Sequence, residues 1–359
     1  MECVDLMSDE LNCGACGNAC PDQTMCSAGT CAPVAAQCPV GFMTCTSGCA
    51  DLVNDANNCG ACDNVCDGDS RCLGGTCAVS NWETVLTQTS EGIIGFSNAV
   101  PAGSVLVYAT LSETDTFVAY TFPSSGLPNG AFATLAPPPT GFGTYGTPIT
   151  TPAGAIYLFT GNAVNTFDPV GNTWSALPGV TLTDTVNDSQ GASDDDGKLY
   201  EFATDTGGAS FVAQFDPATG TQNYFPWPGD AQDEPRVAWD SKSKKLYLGN
   251  YFDAQLYSLD PATGTFTLLA PLPEVGMSDA FCTDNHGFLY TVGDACSGAN
   301  ETWVYNTATD TWKAFTPLPF DHGCDASCTV TGDGYLYFSA SETNNNIARY
   351  RLFAAGGSN

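Results

Sequence analysis

Residues 246–273 contain Leu246-Tyr247-Leu248-Gly249, then Leu259-Asp260-Pro261-Ala262-Thr263-Gly264-Thr265-Phe266, then Leu272-Pro273. Short β-rich runs separated by Asp-Pro and Thr-Gly turn signals describe strands rather than helices. The leading aliphatic-Tyr pair recurs outward in both directions. It reads Leu106-Val107-Tyr108, Ile156-Tyr157, Leu199-Tyr200, Leu289-Tyr290 and Leu336-Tyr337, so that successive steps along the set are 50, 43, 47, 43 and 47 residues. A period of this length accommodates one four-stranded propeller blade.

The surroundings of the marker repeat as well. Asp194-Asp195-Asp196-Gly197, Asp284-Asn285-His286-Gly287 and Gly332-Asp333-Gly334 predict tight turns into the marked strand. Phe167-Asp168-Pro169 leads to Trp174, Phe215-Asp216-Pro217 to Gly220, and Tyr305-Asn306 to Trp312. Leu177-Pro178 and Leu318-Pro319 end their repeats as Leu272-Pro273 ends its own. The order resembles the kelch repeat, without the diglycine of that family; Gly161 and Gly293 stand singly near its position. The expectation is an all-β six-bladed β-propeller of four-stranded blades over residues 80–355, followed by a tail at 356–359. The last repeat stops after a third strand at Arg349-Tyr350-Arg351-Leu352-Phe353. The N-terminal strand Trp82-Glu83-Thr84-Val85-Leu86 is expected to close it, because a ring leaves no open sheet edge.

Residues 1–77 carry 14 of the 18 cysteines. Cys3, Cys13, Cys16, Cys20, Cys26 and Cys31 step by the same intervals as Cys49, Cys59, Cys62, Cys66, Cys72 and Cys77, a period of 46 residues. Cys38 and Cys45 precede the second set and have no counterpart in the first, which suggests two repeats, a truncated one at 1–34 and a fuller one at 35–79. Cys-x-x-Cys pairs also bind zinc. Six or eight cysteines per unit with no histidine favour disulfides, which stand in for the core that so short a segment cannot build. Six cysteines allow 15 pairings and eight allow 105, so connectivity stays open. Asp5, Asp9, Asp51 and Asp55 are either calcium ligands or Asx-turn residues, and the turn is the commoner use. The pattern Cys-x-Asp-Leu through Asn-Cys-Gly-x-Cys resembles the cysteine-rich repeats of myxobacterial surface proteins, which are similar to plant Stig-type domains. That resemblance implies an extracellular spacer or interaction module. It supplies no catalytic residue.

Four cysteines lie in the last two propeller repeats. Cys282–Cys328 with Cys296–Cys324 is the preferred pairing, and Cys324–Cys328 with Cys282–Cys296 the alternative. Cysteine usage indicates an oxidising compartment. The acidic start Met1-Glu2-Cys3-Val4-Asp5 does not read as a secretory n-region, so the chain reads as mature or trimmed.

The net charge of −30, with five lysines and four arginines, excludes nucleic acid and acidic membranes as partners. No apolar run approaches the ~20 residues of a membrane span. Counting back from the markers places Asp188, Asp233 with Glu234, Asp279 and Asp325 before the innermost strands, at the top face. Asp188, Asp233, Asp279 and Asp325 form a candidate calcium site, calcium being the one candidate cofactor. Hydrogen bonding of such acids to backbone N–H groups is the plainer alternative. Trp227, Tyr251, Phe252 and Asp253, with Glu234 and His322, form a candidate ligand site, since aromatic rings beside carboxylates suit sugars. The function read from this is non-catalytic recognition or adhesion by a secreted or surface protein, with a carbohydrate or extracellular protein as partner. The alternatives are a subunit of a self-associating extracellular assembly, and a secreted lyase or hydrolase with His322 as base.

Overall fold

The computed structural model describes residues 5–9, 11–21, 24–33, 38, 42–45, 48–53, 55, 57–66, 70–73, 75–79, 81–87, 93–96, 106–111, 116–121, 131–138, 148–160, 163–177, 191–204, 208–229, 236–249, 254–273, 280–293, 300–321, 326–332, 334–340 and 346–352. It divides into two compact units, Met1–Ala78 and Val79–Asn359.

The first unit is held by disulfides. Hairpin β1 (Thr24–Ser27) with β2 (Thr30–Pro33) has its counterpart 46 residues on in β5 (Ser70–Leu73) with β6 (Thr76–Val79), and a third hairpin joins β3 (Met43–Cys45) to β4 (Gly48–Ala50). The bridges obey the same translation. Cys13–Cys26 and Cys20–Cys31 match Cys59–Cys72 and Cys66–Cys77, while Cys38–Cys49 and Cys45–Cys62 complete the second repeat. Cys16, the counterpart of Cys62, is free and exposed. Each Asn-Cys-Gly-Ala-Cys motif needs its glycine. Gly14 and Gly60 both sit at φ +72°, and a Cβ there would strike the carbonyl oxygen of Gly29 or Gly75.

The second unit is a β-propeller of antiparallel four-stranded sheets. Five blades are each built from four consecutive strands. Blade A comprises β8 (Ile93–Phe96), β9 (Leu106–Leu111), β10 (Thr116–Thr121) and β11 (Ala131–Thr134). Blade B comprises β12 (Ile149–Thr150), β13 (Ile156–Thr160), β14 (Ala163–Asp168) and β15 (Thr173–Ala176). Blade C runs through β16 (Ala192–Ser193), β17 (Leu199–Thr204), β18 (Ser210–Phe215) and β19 (Gln222–Pro226). Blade D runs through β20 (Arg236–Asp240), β21 (Lys245–Gly249), β22 (Leu256–Asp260) and β23 (Thr265–Leu268). Blade E holds β24 (Phe281–Thr283), β25 (Phe288–Val292), β26 (Thr302–Asn306) and β27 (Thr311–Ala314).

The expectation of six such blades is corrected to this extent: consecutive chain makes five, and the remaining sheet is composite. It pairs β28 (Ser327–Val330), β29 (Tyr335–Ser339) and β30 (Asn346–Arg351) with β7 (Glu83–Thr87), which precedes blade A in the chain. The chain runs out of C-terminal strands, so the N-terminal one supplies the outer edge.

The aliphatic-Tyr marker is the second strand of each sheet, and its alternation explains the pattern. Adjacent residues of a strand point to opposite faces. Leu199 packs back on Ile149 of blade B, while Tyr200 packs forward with Trp239 of blade D. Leu246 then lies in that same C–D layer and Tyr247 packs forward with Phe281 of blade E. Leu289 and Tyr290 repeat the step, and Leu336 and Tyr337 carry it from blade E to Phe96 of blade A. Both faces of the second strands are therefore buried in blades C, D and E and in the composite sheet, which is why these strands lack polar alternation.

Tryptophans clasp the outer edges. Trp174 Nε1 donates to the Ala136 carbonyl at 3.1 Å while Asn172 Oδ1 accepts from the Ala136 N–H at 2.8 Å. Trp312 and Asp310 grip Ala270 in the same way, at 3.2 and 2.8 Å. Asn172 and Asp310 occupy left-handed turn positions, φ 49° and 53°, where the other two turns have Gly220 and Gly264. The strain of a non-glycine residue there is offset by the bond it makes to the neighbouring blade. Trp82, just before β7, does the equivalent for the composite sheet. Its Nε1 donates to Thr316 of blade E at 2.7 Å and its ring meets Phe315, Phe338 and Tyr350 edge-on.

Between the same two sheets, Cys282 and Cys328 are bonded across neighbouring innermost strands with Cα atoms 5.8 Å apart. Cys296 and Cys324 lie outside the described residues.

Trp82→Ala removes a packed ring and the hydrogen bond to Thr316 together. By analogy with other aromatic truncations it is expected to cost about 3 kcal/mol. In thermal unfolding this should appear as a fall of roughly 6–10 °C. An unchanged melting temperature would show that β7 does not hold the ring.

Candidate functional site

The described polar chemistry of the propeller concentrates at one end of the innermost strands, in the turns that lead to the second strands. Asp194, Asp240 and Asp284 end β16, β20 and β24 or follow them directly, and all three are buried. Thr151 and Thr331 hold the corresponding place after β12 and β28. An Asp or Thr here accepts backbone N–H groups of its own turn. Asp194 Oδ1 accepts from Asp196 and Lys198 N–H at 3.0 and 2.9 Å, and Oδ2 accepts from the Tyr200 hydroxyl at 2.9 Å. Asp284 takes His286 and Phe288 N–H at 2.8 and 3.1 Å, with the Tyr290 hydroxyl at 3.3 Å. Thr151 and Thr331 accept from Ala155 and Tyr335 N–H. In blades C and E the marker tyrosine thus has a second task, to cap the turn carboxylate with its hydroxyl.

In blade C the hydrogen bonds continue outward across the sheet. Asn223 donates to Gln214 and Gln214 to the Tyr200 hydroxyl, each at 2.6 Å. Burial, ahead of the Asp194 charge, raises the Tyr200 pKa, so the hydroxyl remains a donor.

Neighbouring turns are tied together. Asp240 accepts from Ser243 of its own turn and, at 3.0 Å, from Gly287 N–H of blade E. Ser241 N–H donates to Asn285 Oδ1 at 3.2 Å and its hydroxyl to Asp195. Lys244 pairs with Asp195 at 2.6 Å. Partial burial by itself would raise the Asp195 carboxyl, but the bonds from Lys244 and Ser241 outweigh it and hold the pKa low. This pair is exposed, so its contribution to stability is small.

Asp284 behaves oppositely. Burial raises its pKa, and the neighbouring His286 and backbone N–H groups oppose that shift without reversing it. His286 Nδ1 lies 2.6 Å from the Asp284 carbonyl, which can only accept, so that nitrogen carries the proton. The geometry locks His286 into its turn.

Asp188, Asp233, Glu234, Tyr251, Phe252, Asp253, Asp279, His322 and Asp325 all lie outside the described residues. Trp227 is described, and the expectation of a stacking surface there is corrected. It is 8% exposed and wedged edge-on among Phe202, Tyr257 and Phe266, where it fills the layer between blades C and D. A tryptophan following a fourth strand packs inward for the same reason that Trp82 does. In the first unit, Asp5, Asp9, Asp51 and Asp55 accept from Met7, Leu11, Val53 and Asn57 N–H, all Asx-turn bonds. Two sulfur clusters, Cys13 with Cys20 and Cys31 and Cys59 with Cys66 and Cys77, are adjacent disulfides rather than free thiolates. The sequence marked Asp194 and Asp284 only as turn residues and passed over Asp240, although an Asp or Thr six residues before the marker tyrosine, or seven in blade D, was there to find.

No family model matches the chain, and no curated protein does. The kelch and Stig-type likenesses therefore rest on motifs alone. Among solved structures the chain is similar to a gluconolactonase from Xanthomonas campestris, at 14% identity and TM-score 0.55, over 76% of this chain and 89% of that one. A protein of unknown function from Bacteroides thetaiotaomicron aligns at 13% identity and TM-score 0.54, over 76% of each chain. Virginiamycin B lyase from Staphylococcus aureus aligns at 10% identity and TM-score 0.49, over 76% of this chain and 99% of that one. At such identities the likeness is of fold alone.

A raised Asp284 pKa predicts a signed pH effect. A group whose folded pKa lies above its unfolded value of 3.8 contributes fully below that value and loses the contribution as pH rises through the folded one. Asp284→Asn does not titrate. Its stability relative to the parent should therefore improve from pH 4 toward pH 7 in denaturant titrations, and a pH-independent difference would contradict the assignment.

Proposed function

We propose that the chain is an extracellular recognition protein whose propeller binds a carbohydrate or a protein ligand. The observation that carries this reading is the set of seven disulfides among the described residues. Six stabilise the repeats before the propeller, and the seventh bridges two innermost strands. Such bonds persist in oxidising surroundings. No helix among the described residues is long and apolar enough to cross a membrane.

The composite sheet acts in this proposal as a sixth blade that completes the ring. The segments entering the innermost strands and those leaving the second strands then share one face, and their sequences supply Glu234, Tyr251, Phe252, Asp253 and His322 as ligand contacts, with Asp188, Asp233, Asp279 and Asp325 as candidate calcium ligands. At the other end of the innermost strands the buried carboxylates Asp194, Asp240 and Asp284 accept backbone N–H groups, which assigns them to the turns.

Glycan-array screening with and without chelator tests the proposal. Binding that fades with chelator supports the calcium-dependent form, and binding that persists supports direct recognition. Silence in both conditions removes the carbohydrate version and directs the search to protein partners by cross-linking at the cell surface.

A further inference from the structure

Among the described residues Cys16 is the one cysteine without a bridge, and it is exposed. Its counterpart 46 residues on, Cys62, is bonded to Cys45 of β3. The loops that present the two sulfurs are alike. Cys13 and Cys59 N–H donate to the Asn18 and Asn64 carbonyls at 2.9 and 2.8 Å, and Gly14 and Gly60 N–H to the Leu6 and Leu52 carbonyls at 2.8 and 2.7 Å. Asn12 and Asn58 Oδ1 accept from Gly17 and Asp63 N–H at 2.8 and 2.9 Å. Gly17 and Asp63 both take left-handed φ, 80° and 59°. The conformation that offers Cys62 to β3 is therefore already in place around Cys16.

The second repeat shows what meets a sulfur in that position. β3 brings its Thr44 carbonyl to 3.8 Å from the Cys62 sulfur, and Cys45 closes the bridge. Every other described cysteine of the first repeat has the partner that the translation assigns to it. In sequence, Cys3 corresponds to Cys49, the partner of Cys38 just before β3. The positions of the first repeat that such a strand would serve are thus Cys3 and Cys16. A second copy of this chain cannot serve them with its own β3, because Cys38 and Cys45 would first have to leave Cys49 and Cys62. A cysteine left over beside intact bridges, in oxidising surroundings, points to a partner outside the unit.

We propose that Cys16 is an attachment site for a partner polypeptide, which adds a β3-like strand to the first repeat and is held there by a disulfide. The strand gives recognition, and the bond follows by exchange. The Cys16 thiolate attacks a partner cysteine already held in a disulfide, the new S–S bond forms, and the displaced sulfur leaves as a thiolate. No further oxidant enters. The site lies on the cysteine-rich unit and does not rest on ligand binding by the propeller, so either can fail without the other.

The test uses the full chain and two peptides in equal amount. One has the sequence of residues 37–47 with Cys38→Ser, and the other is the same composition scrambled around its cysteine. Each cysteine enters as a mixed disulfide with glutathione, and the products are read as intact mass. The expected result is an excess of roughly tenfold of the β3 adduct over the scrambled one, the worth of one or two hydrogen bonds. Cys16→Ser should abolish that adduct. The substitution leaves every described bridge in place, so it does not put the fold at risk. Three results overturn the proposal. Equal amounts of the two adducts mean an ordinary exposed thiol. An adduct that survives Cys16→Ser belongs to another thiol, and a disulfide-linked dimer of the chain formed ahead of either adduct means that Cys16 pairs with its own copy.

Discussion

Pairing of β7 with β30 is the constraint on which the propeller depends. Each sheet buries both faces against its neighbours, so a sheet without a neighbour would expose a layer of aliphatic and tyrosine side chains. The composite sheet supplies that last neighbour. Ile347 opposite Leu86 and Val85 beside Phe96 and Val118 continue the packing across the chain's two ends. Trp82 and the Cys282–Cys328 bridge then fix the composite sheet to blade E, and the Ser327 hydroxyl accepts the Phe96 N–H of blade A at 2.7 Å. The exposed Arg349–Glu83 ion pair on the same strands adds little beside these.

The turn carboxylates follow from the same geometry. A tight turn at the end of an innermost strand leaves N–H groups that the sheet cannot pair, and the fold buries them against the adjoining blade. Asp194, Asp240 and Asp284 answer that need, and Thr151 and Thr331 answer it without charge. The choice has a secondary effect on the surface. Lys198, Lys242, Lys244 and Lys245, four of the five lysines, sit in or beside these turns, so a strongly acidic chain carries most of its ammonium groups at one rim.

Much of the architecture was legible because it repeats. The Leu-Tyr pairs marked the second strand of each sheet, and the aromatic-Asp-Pro runs marked the third strand and its turn. The closing strand near Trp82 was legible from the missing fourth strand after β30, but the clasp that Trp82 itself makes to blade E was not. The Cys282–Cys328 bridge was legible from the similar depth of its two cysteines on neighbouring innermost strands; the pairing in the first unit was not, because spacing alone leaves every combination of sulfurs open there, and it became readable only when the same translation was seen in the bridges. Trp227 was misread for a different reason. At the end of a strand, sequence does not tell whether an aromatic ring turns toward solvent or toward the next blade, and the packing of Tyr257 and Phe266 decides it.

The position of β7 gives the molecule a loading direction. β6 ends at Val79 and β7 begins at Glu83, so a pull transmitted along the cysteine-rich repeats reaches the propeller first at the strand that holds its ring together. The repeats, cross-linked at short intervals, have little chain to pay out under tension. The β7–β30 ladder with its Trp82 anchor is therefore the mechanical fuse of the chain: if it parts, the ring opens at that point while blades A to E keep their own strands.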